Sequence, residues 1–370
     1  MICSQMREIL DQVLDQLAKG EEFALVTLVS ERGSTPRAAG AQMLVRAEGS
    51  IAGTIGGGLL EATMMGQARE VIRQCRSRVS SMALSGRSIE AEEMLCGGQA
   101  HVLIAYVPPG DELLSSVCRG LVEAVRERRR AWLFTVLARA KADVQVSYCL
   151  LAQDGGIVGE PPCEPAELRR LVGRIGVHSM ASLPDGREVH METVDPPTLA
   201  VICGAGHVSQ ALAPIAQSAG FQAVVLDDRP EFANRERFPQ ASRVVVLPSF
   251  DDAFAEVEVD EHTYVVIVTR GHTHDYAVLT QALRLPARYI GLMSSKTKFK
   301  RVRQALEEQG FSPTDIARVC SPIGLSIGAE TPAELAVSIV AEMIQVRAGA
   351  SALRVGASPP GLPLGKDDEA

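Results

Sequence analysis

The sequence predicts an α/β protein in which a C-terminal doubly wound parallel sheet follows an N-terminal domain that is mixed α/β or α+β. Three observations carry this. Apolar runs at 199–203, 223–226, 243–247, 264–268 and 289–292 alternate with helical segments, as buried parallel strands and their crossovers do. Asp195-Pro196-Pro197 breaks the chain just before the first of them. A length of 370 residues exceeds what one core usually serves. The expected division is an N-terminal domain over 1–195, with a generic middle region at 108–195, a C-terminal domain over 198–348 and a tail over 349–370, where Pro and Gly predict disorder.

In chain order, Ile2, Met6, Ile9, Val13 and Leu17 predict an amphipathic first helix, without the basic start and apolar core of a secretory signal. Strands are expected at 23–29 and 42–46, joined by a polar loop over 31–40. Three glycines at 56–58 lead into a helix over 59–74, where Leu60, Met64, Ala68, Val71 and Ile72 share one face. A second glycine turn at Cys96-Gly97-Gly98 precedes a strand over 100–107, a helix over 111–128 and strands over 131–137 and 143–152. The last helix, 333–347, has Thr331 as its N-cap and Pro332 at its first position.

Composition removes several function classes. Hydrophobic residues make up 46% and charged residues 22%, and no apolar run reaches the roughly 20 residues of a membrane span. A net charge of −8 leaves no footprint for nucleic acid. The 8 cysteines lack any CxxC pair or disulfide-like spacing, which fits a reducing cytoplasm.

The most specific motif is Cys203-Gly204-Ala205-Gly206-His207-Val208-Ser209, between a strand and a helix. Gly204 permits a tight turn, and Gly206 lets backbone approach a diphosphate seated on the open N–H groups of the helix. Asp227 follows Gly206 by 21 residues, at the end of the second strand, where an acid accepts from ribose. Ser209 stands in place of the usual third small residue, so looser helix–strand packing is expected. Together these features predict a Rossmann-like domain. Thr269-Arg270-Gly271-His272-Thr273-His274-Asp275 ends the fourth strand of that sheet, and its H-x-H-D run suits either metal ligands or N-capping and phosphate binding. Arg270 and His272 are the phosphate candidates, and no metal site is assigned.

The N-terminal half offers three further candidates. Gly56, Gly57 and Gly58 either present amides to an anion or form a hairpin end. Ser34 and Arg37 combine a hydroxyl and a guanidinium in one loop that suits a phosphate or is a solvated turn. Cys96 is either a small buried apolar residue or, beside Gly97 and Gly98, an accessible thiolate.

GSTPRAAGAQMLV (33–45), GTIGGGLLE (53–61), MLCGGQAHVLI (94–104), VICGAGHVSQALAPIA (201–216), VVLDDRPEFANRERFP (224–239), VIVTRGHTHDYAVL (266–279) and SPIGLSIGAETPAELAVSIVAEMI (321–344) resemble, in order, the motifs of the XdhC and CoxI family of accessory factors for molybdenum hydroxylases. The resemblance implies a chaperone that binds the molybdenum cofactor, guards it during sulfuration and hands it to an apo molybdenum hydroxylase such as xanthine dehydrogenase or aldehyde oxidoreductase. The cargo would be molybdopterin or its cytosine dinucleotide form. Gly204, Ala205, Gly206, His207 and Asp227 would hold the dinucleotide end. Gly56 to Gly58 and Cys96 to Gly98 would face the pterin or the metal across a cleft between the domains, with Cys96 the candidate sulfur or molybdenum contact. A cysteine desulfurase, a cofactor cytidylyltransferase and a second copy of the chain are the further partners so implied. Two rival readings stay open: an NAD(P)-dependent oxidoreductase, which the glycine turn alone would support, and a nucleotide-sensing module without chemistry.

Overall fold

A computed structural model of the chain describes residues 2–32, 39–83, 99–140, 143–174 and 178–349. The chain forms two compact units, Met1–Pro196 and Pro197–Ala370.

The first unit runs α1 (Ile2–Lys19), β1 (Phe23–Arg32), β2 (Gln42–Arg46), β3 (Ile51–Gly53), α2 (Gly58–Gln74), β4 (Arg78–Ala83), β5 (Gln99–Val107), α3 (Glu112–Arg126), β6 (Ala131–Ala140), β7 (Asp143–Ala152), β8 (Ile157–Gly159), α4 (Pro165–Arg174), β9 (His178–Ser182) and β10 (Glu188–Val194). Its strands form two antiparallel sheets, ordered β3-β2-β1-β5-β4 and β8-β7-β6-β10-β9. Antiparallel pairing decides between the two expected classes in favour of α+β.

Alternation along β1 shows how the layers arise. Leu25 joins Ile9, Val13 and Leu17 of α1, Val117 and Leu121 of α3, and Leu133 and Leu150 of the second sheet, whereas Val26 faces Leu60, Met64 and Val71 of α2. Leu168 of α4 covers Phe134, Cys149 and Met191 on the far side of the second sheet. The layer shared by the sheets also contains polar groups. Gln42 donates to Glu192 (3.2 Å), and burial pushes the Glu192 carboxyl up to about 8.

The second unit runs β11 (Leu199–Cys203), α5 (His207–Ser218), β12 (Gln222–Asp227), β13 (Arg243–Val246), β14 (Thr263–Ile267), α6 (His272–Ala282), β15 (Tyr289–Leu292), α7 (Lys296–Glu308), α8 (Pro313–Ala317), β16 (Val319–Cys320) and α9 (Pro332–Arg347). The sheet is parallel throughout, ordered β13-β12-β11-β14-β15-β16. Leu212, Ala216, Ile339 and Met343 pack α5 and α9 on one face; Val278, Leu279 and Leu306 pack α6 and α7 on the other. With both faces covered, β11, β14 and β15 are buried at every position, which is why they read as continuous apolar runs. Neighbouring strands β11 and β14 send their helices to opposite faces. The sheet therefore has its switch point there, where the crevice of an open α/β sheet lies.

Candidate functional site

The turn from β11 to α5 is built by its two glycines in different ways. Gly204 has φ of 111°, and a Cβ there would lie 2.4 Å from the Val268 carbonyl oxygen and 2.8 Å from Thr269 Cα. Only glycine fits. Gly206 has φ of −75° as the N-cap of α5, and a Cβ there would meet nothing within 4 Å. The space beside Gly206 is open, as an approaching diphosphate requires. Ser209, expected to loosen the packing, is instead fully buried, and its hydroxyl donates to Gly204 O (2.5 Å), closing the turn with a hydrogen bond.

Asp227 holds the turn from the next strand. Its Oδ2 accepts from Ala205 N (2.7 Å) and Arg229 Nη2 (3.0 Å), and its Oδ1 from Arg229 N (3.0 Å) and Arg229 Nε (2.8 Å). These bonds fill the roughly four acceptor positions of a carboxylate. Burial at 1% exposure pushes the carboxyl up, but the bonds from Arg229 and Ala205 outweigh it and hold the group below its ordinary range.

Around this turn lie guanidinium groups. Arg229 stacks on the Phe232 ring at 3.9 Å, with Arg237 5.0 Å from the same ring. Arg237 also donates to Gln210 (3.2 Å) and Ala205 O (3.4 Å). Arg270, three residues beyond β14, makes a two-pronged ion pair with Asp228 at 2.5 and 2.8 Å.

The second open helix start is α6, capped by Gly271 without a side-chain hydrogen bond, as α5 is by Gly206. By contrast Ser295, Ser312 and Thr331 cap α7, α8 and α9 with their hydroxyls. The amides at the starts of the two helices flanking the switch point therefore lack side-chain caps. Asp275 accepts from Thr269 N and Oγ1 (3.2 and 2.6 Å); burial raises its pKa against those bonds. His207 is exposed, His272 sits 3.7 Å from Asp275, and His274 faces the Phe250 ring at 5.1 Å. Among the described residues no group of three His, Cys, Asp or Glu is placed to hold a metal ion.

In the first unit, Gly56, Gly57 and Gly58 all have positive φ (135°, 75° and 57°) and wrap the loop over a carboxylate of the protein itself. Glu61 Oε2 accepts from Thr54 Oγ1 (2.5 Å), Ile55 N (3.3 Å) and Gly57 N (3.3 Å), while Gly56 N donates to Thr54 Oγ1 (3.1 Å). The loop does cradle an anion, and that anion is Glu61. Ser34, Arg37, Cys96, Gly97 and Gly98 lie outside the described residues.

The sequence reading missed Glu61, Arg229, Phe232, Arg237 and the pairing of Asp228 with Arg270. A signal existed for the last: Asp228 directly follows β12 and Arg270 comes three residues after β14, the two strands that flank the glycine turn.

Residues 200–343 match the family model described as the XdhC Rossmann domain, and residues 16–82 match that of the XdhC and CoxI family. The chain is 28% identical over 339 residues to an uncharacterized Escherichia coli protein, YqeB, covering 90% of this chain and 46% of that protein. It thus spans less than half the length of that relative. It is 27% identical over 342 residues to a protein of Bacillus subtilis named as a probable xanthine dehydrogenase component (90% and 96% covered). With the molybdenum cofactor insertion chaperone PaoD of Escherichia coli it shares 25% identity over 348 residues (92% and 88%). A solved Bacillus halodurans structure described as a xanthine dehydrogenase superposes with a TM-score of 0.73 at 26% identity, covering 94% of this chain and 97% of that one.

Proposed function

Because the chain belongs to the XdhC and CoxI family, we propose that it is a maturation factor that carries the molybdenum cofactor, as cargo, to a molybdenum hydroxylase in the cytoplasm. The observation that carries this reading is the turn at Gly204 to His207: a helix start without a side-chain cap, open space beside Gly206, and a backbone pinned by Asp227. Such a turn suits a diphosphate. The cytosine dinucleotide form of the cofactor has a diphosphate and a ribose, so its nucleotide end fits these residues, with Arg270 and His272 at the neighbouring helix start. Relatives named as an insertion chaperone and as a probable xanthine dehydrogenase component support the same reading.

Sulfuration is the finer step, and Cys96 with Gly97 and Gly98 is its candidate place. Ser34 and Arg37 are candidates for a second phosphate contact. Co-expression of a hydroxylase with this chain tests the whole. The client should gain molybdenum and activity with the wild-type chain and lose both with Gly206→Val. Cys96→Ser should leave the client with cofactor that lacks its terminal sulfur. A client equally active without the chain would overturn the proposal.

A nicotinamide dinucleotide is the second reading, favoured by the strand order of the parallel sheet, which is that of dinucleotide-binding enzymes. Titration with NAD beside the cofactor separates the two.

A further inference from the structure

Asp228 directly follows β12, Arg270 follows β14, and both strands pair with β11. The fork of Arg270 therefore reaches across the C-terminal end of β11, where Gly204 leads into α5, to grip both oxygens of Asp228. Asp227, the acid at the usual ribose position, already accepts from Ala205 N and from Arg229 at every acceptor position. Its side chain is 1% exposed, against 16% for Asp228 and 39% for Arg270.

We propose that Asp228, and not Asp227, takes the ribose hydroxyls of a nucleoside diphosphate, that Arg270 takes its diphosphate, and that the two hold each other as a latch which the nucleotide opens. This deepens the proposed function and rests on its nucleotide reading. A guanidinium fork matches a phosphate as well as a carboxylate, and a diphosphate brings more negative charge to it than Asp228 does. The exchange leaves Asp228 with only Arg229, whose Nε lies 4.0 Å away and is already bonded to Asp227, and ribose hydroxyls supply the donors it then lacks. A ligand needs both ends to open the latch without cost. Inorganic pyrophosphate strands the carboxylate, and a nucleoside offers nothing to Arg270.

The test is calorimetric titration of the full chain with pyrophosphate, cytidine diphosphate and 2′,3′-dideoxycytidine diphosphate, with circular dichroism as the control for folding. Wild type should prefer the ribose form over the dideoxy form by about tenfold, as one hydrogen bond to a charged group gives. Asp228→Asn should lower that preference to near one while binding pyrophosphate about tenfold more tightly, because Arg270 is freed. Arg270→Gln should weaken every ligand and keep the ribose preference. If wild type binds cytidine diphosphate but Asp228→Asn changes neither the preference nor pyrophosphate affinity, the latch is wrong and the nucleotide reading stands. If neither wild type nor Asp228→Asn binds any of the three, both fall.

Discussion

Asp227 Oδ2 accepts a 2.7 Å hydrogen bond from Ala205 N, so the acid at the end of β12 fixes the turn that follows the neighbouring strand β11. Its removal should be felt before any ligand arrives. Asp227→Ala should cost about 3 kcal/mol of stability, where the ranges for a charged hydrogen bond and a broken buried pair meet. Urea denaturation of the ligand-free protein measures it. Unchanged stability with lost nucleotide binding would make Asp227 a ligand contact only.

The two glycines of the turn should respond oppositely. Gly204→Ala puts a Cβ 2.4 Å from the Val268 carbonyl oxygen at a φ of 111°, and should destabilise by about 3 kcal/mol or more. Gly206→Val should change stability by only about 1 kcal/mol, the scale of an N-cap substitution, because its Cβ meets open space. Equal thermal shifts in the two variants would contradict the difference.

Glu61→Ala empties the loop that its carboxylate fills. The variant should lose about 1 to 3 kcal/mol as Ile55 N and Gly57 N lose their acceptor. Added phosphate should restore part of its melting temperature and leave wild type unmoved. A variant indifferent to phosphate would mean that the loop needs Glu61 in place to keep its shape.

Burial raises the Glu192 carboxyl from 4.5 to about 8, so folding takes up a proton between those values. The neutral acid's contribution is complete below about 4.5 and is lost as pH rises through about 8. Glu192→Gln should therefore raise the melting temperature more at pH 8 than at pH 5. The same shift at both pH values would remove the claim.

The legible parts of the fold were those where one physical cause acts alone. Strands β11, β12, β14 and β15 are buried on both faces and bounded by turns, so their apolar runs stand out. Thr331 and Pro332 announced α9, and the structure completes the capping box with Glu334. Strand β16 has two residues, too short to carry a period. Strand β10 buries His190 and Glu192 among apolar neighbours, which erases the alternation that would have marked it. At the candidate site, spacing placed Gly204, Gly206 and Asp227 together. That Arg229 saturates Asp227, and that Glu61 fills the glycine loop, depend on side chains folding back on the backbone, which no spacing encodes.

In the proposed function the turn at Gly206 holds the nucleotide end of the molybdenum cofactor. Equilibrium binding under anaerobic conditions, with the cytosine dinucleotide form released from a hydroxylase and with NAD as competitor, measures that role. Wild type should retain the cofactor in the presence of excess NAD, and Gly206→Val, folded by circular dichroism, should retain none. Binding of NAD in preference to the cofactor, or unaltered cofactor binding by Gly206→Val, would contradict it.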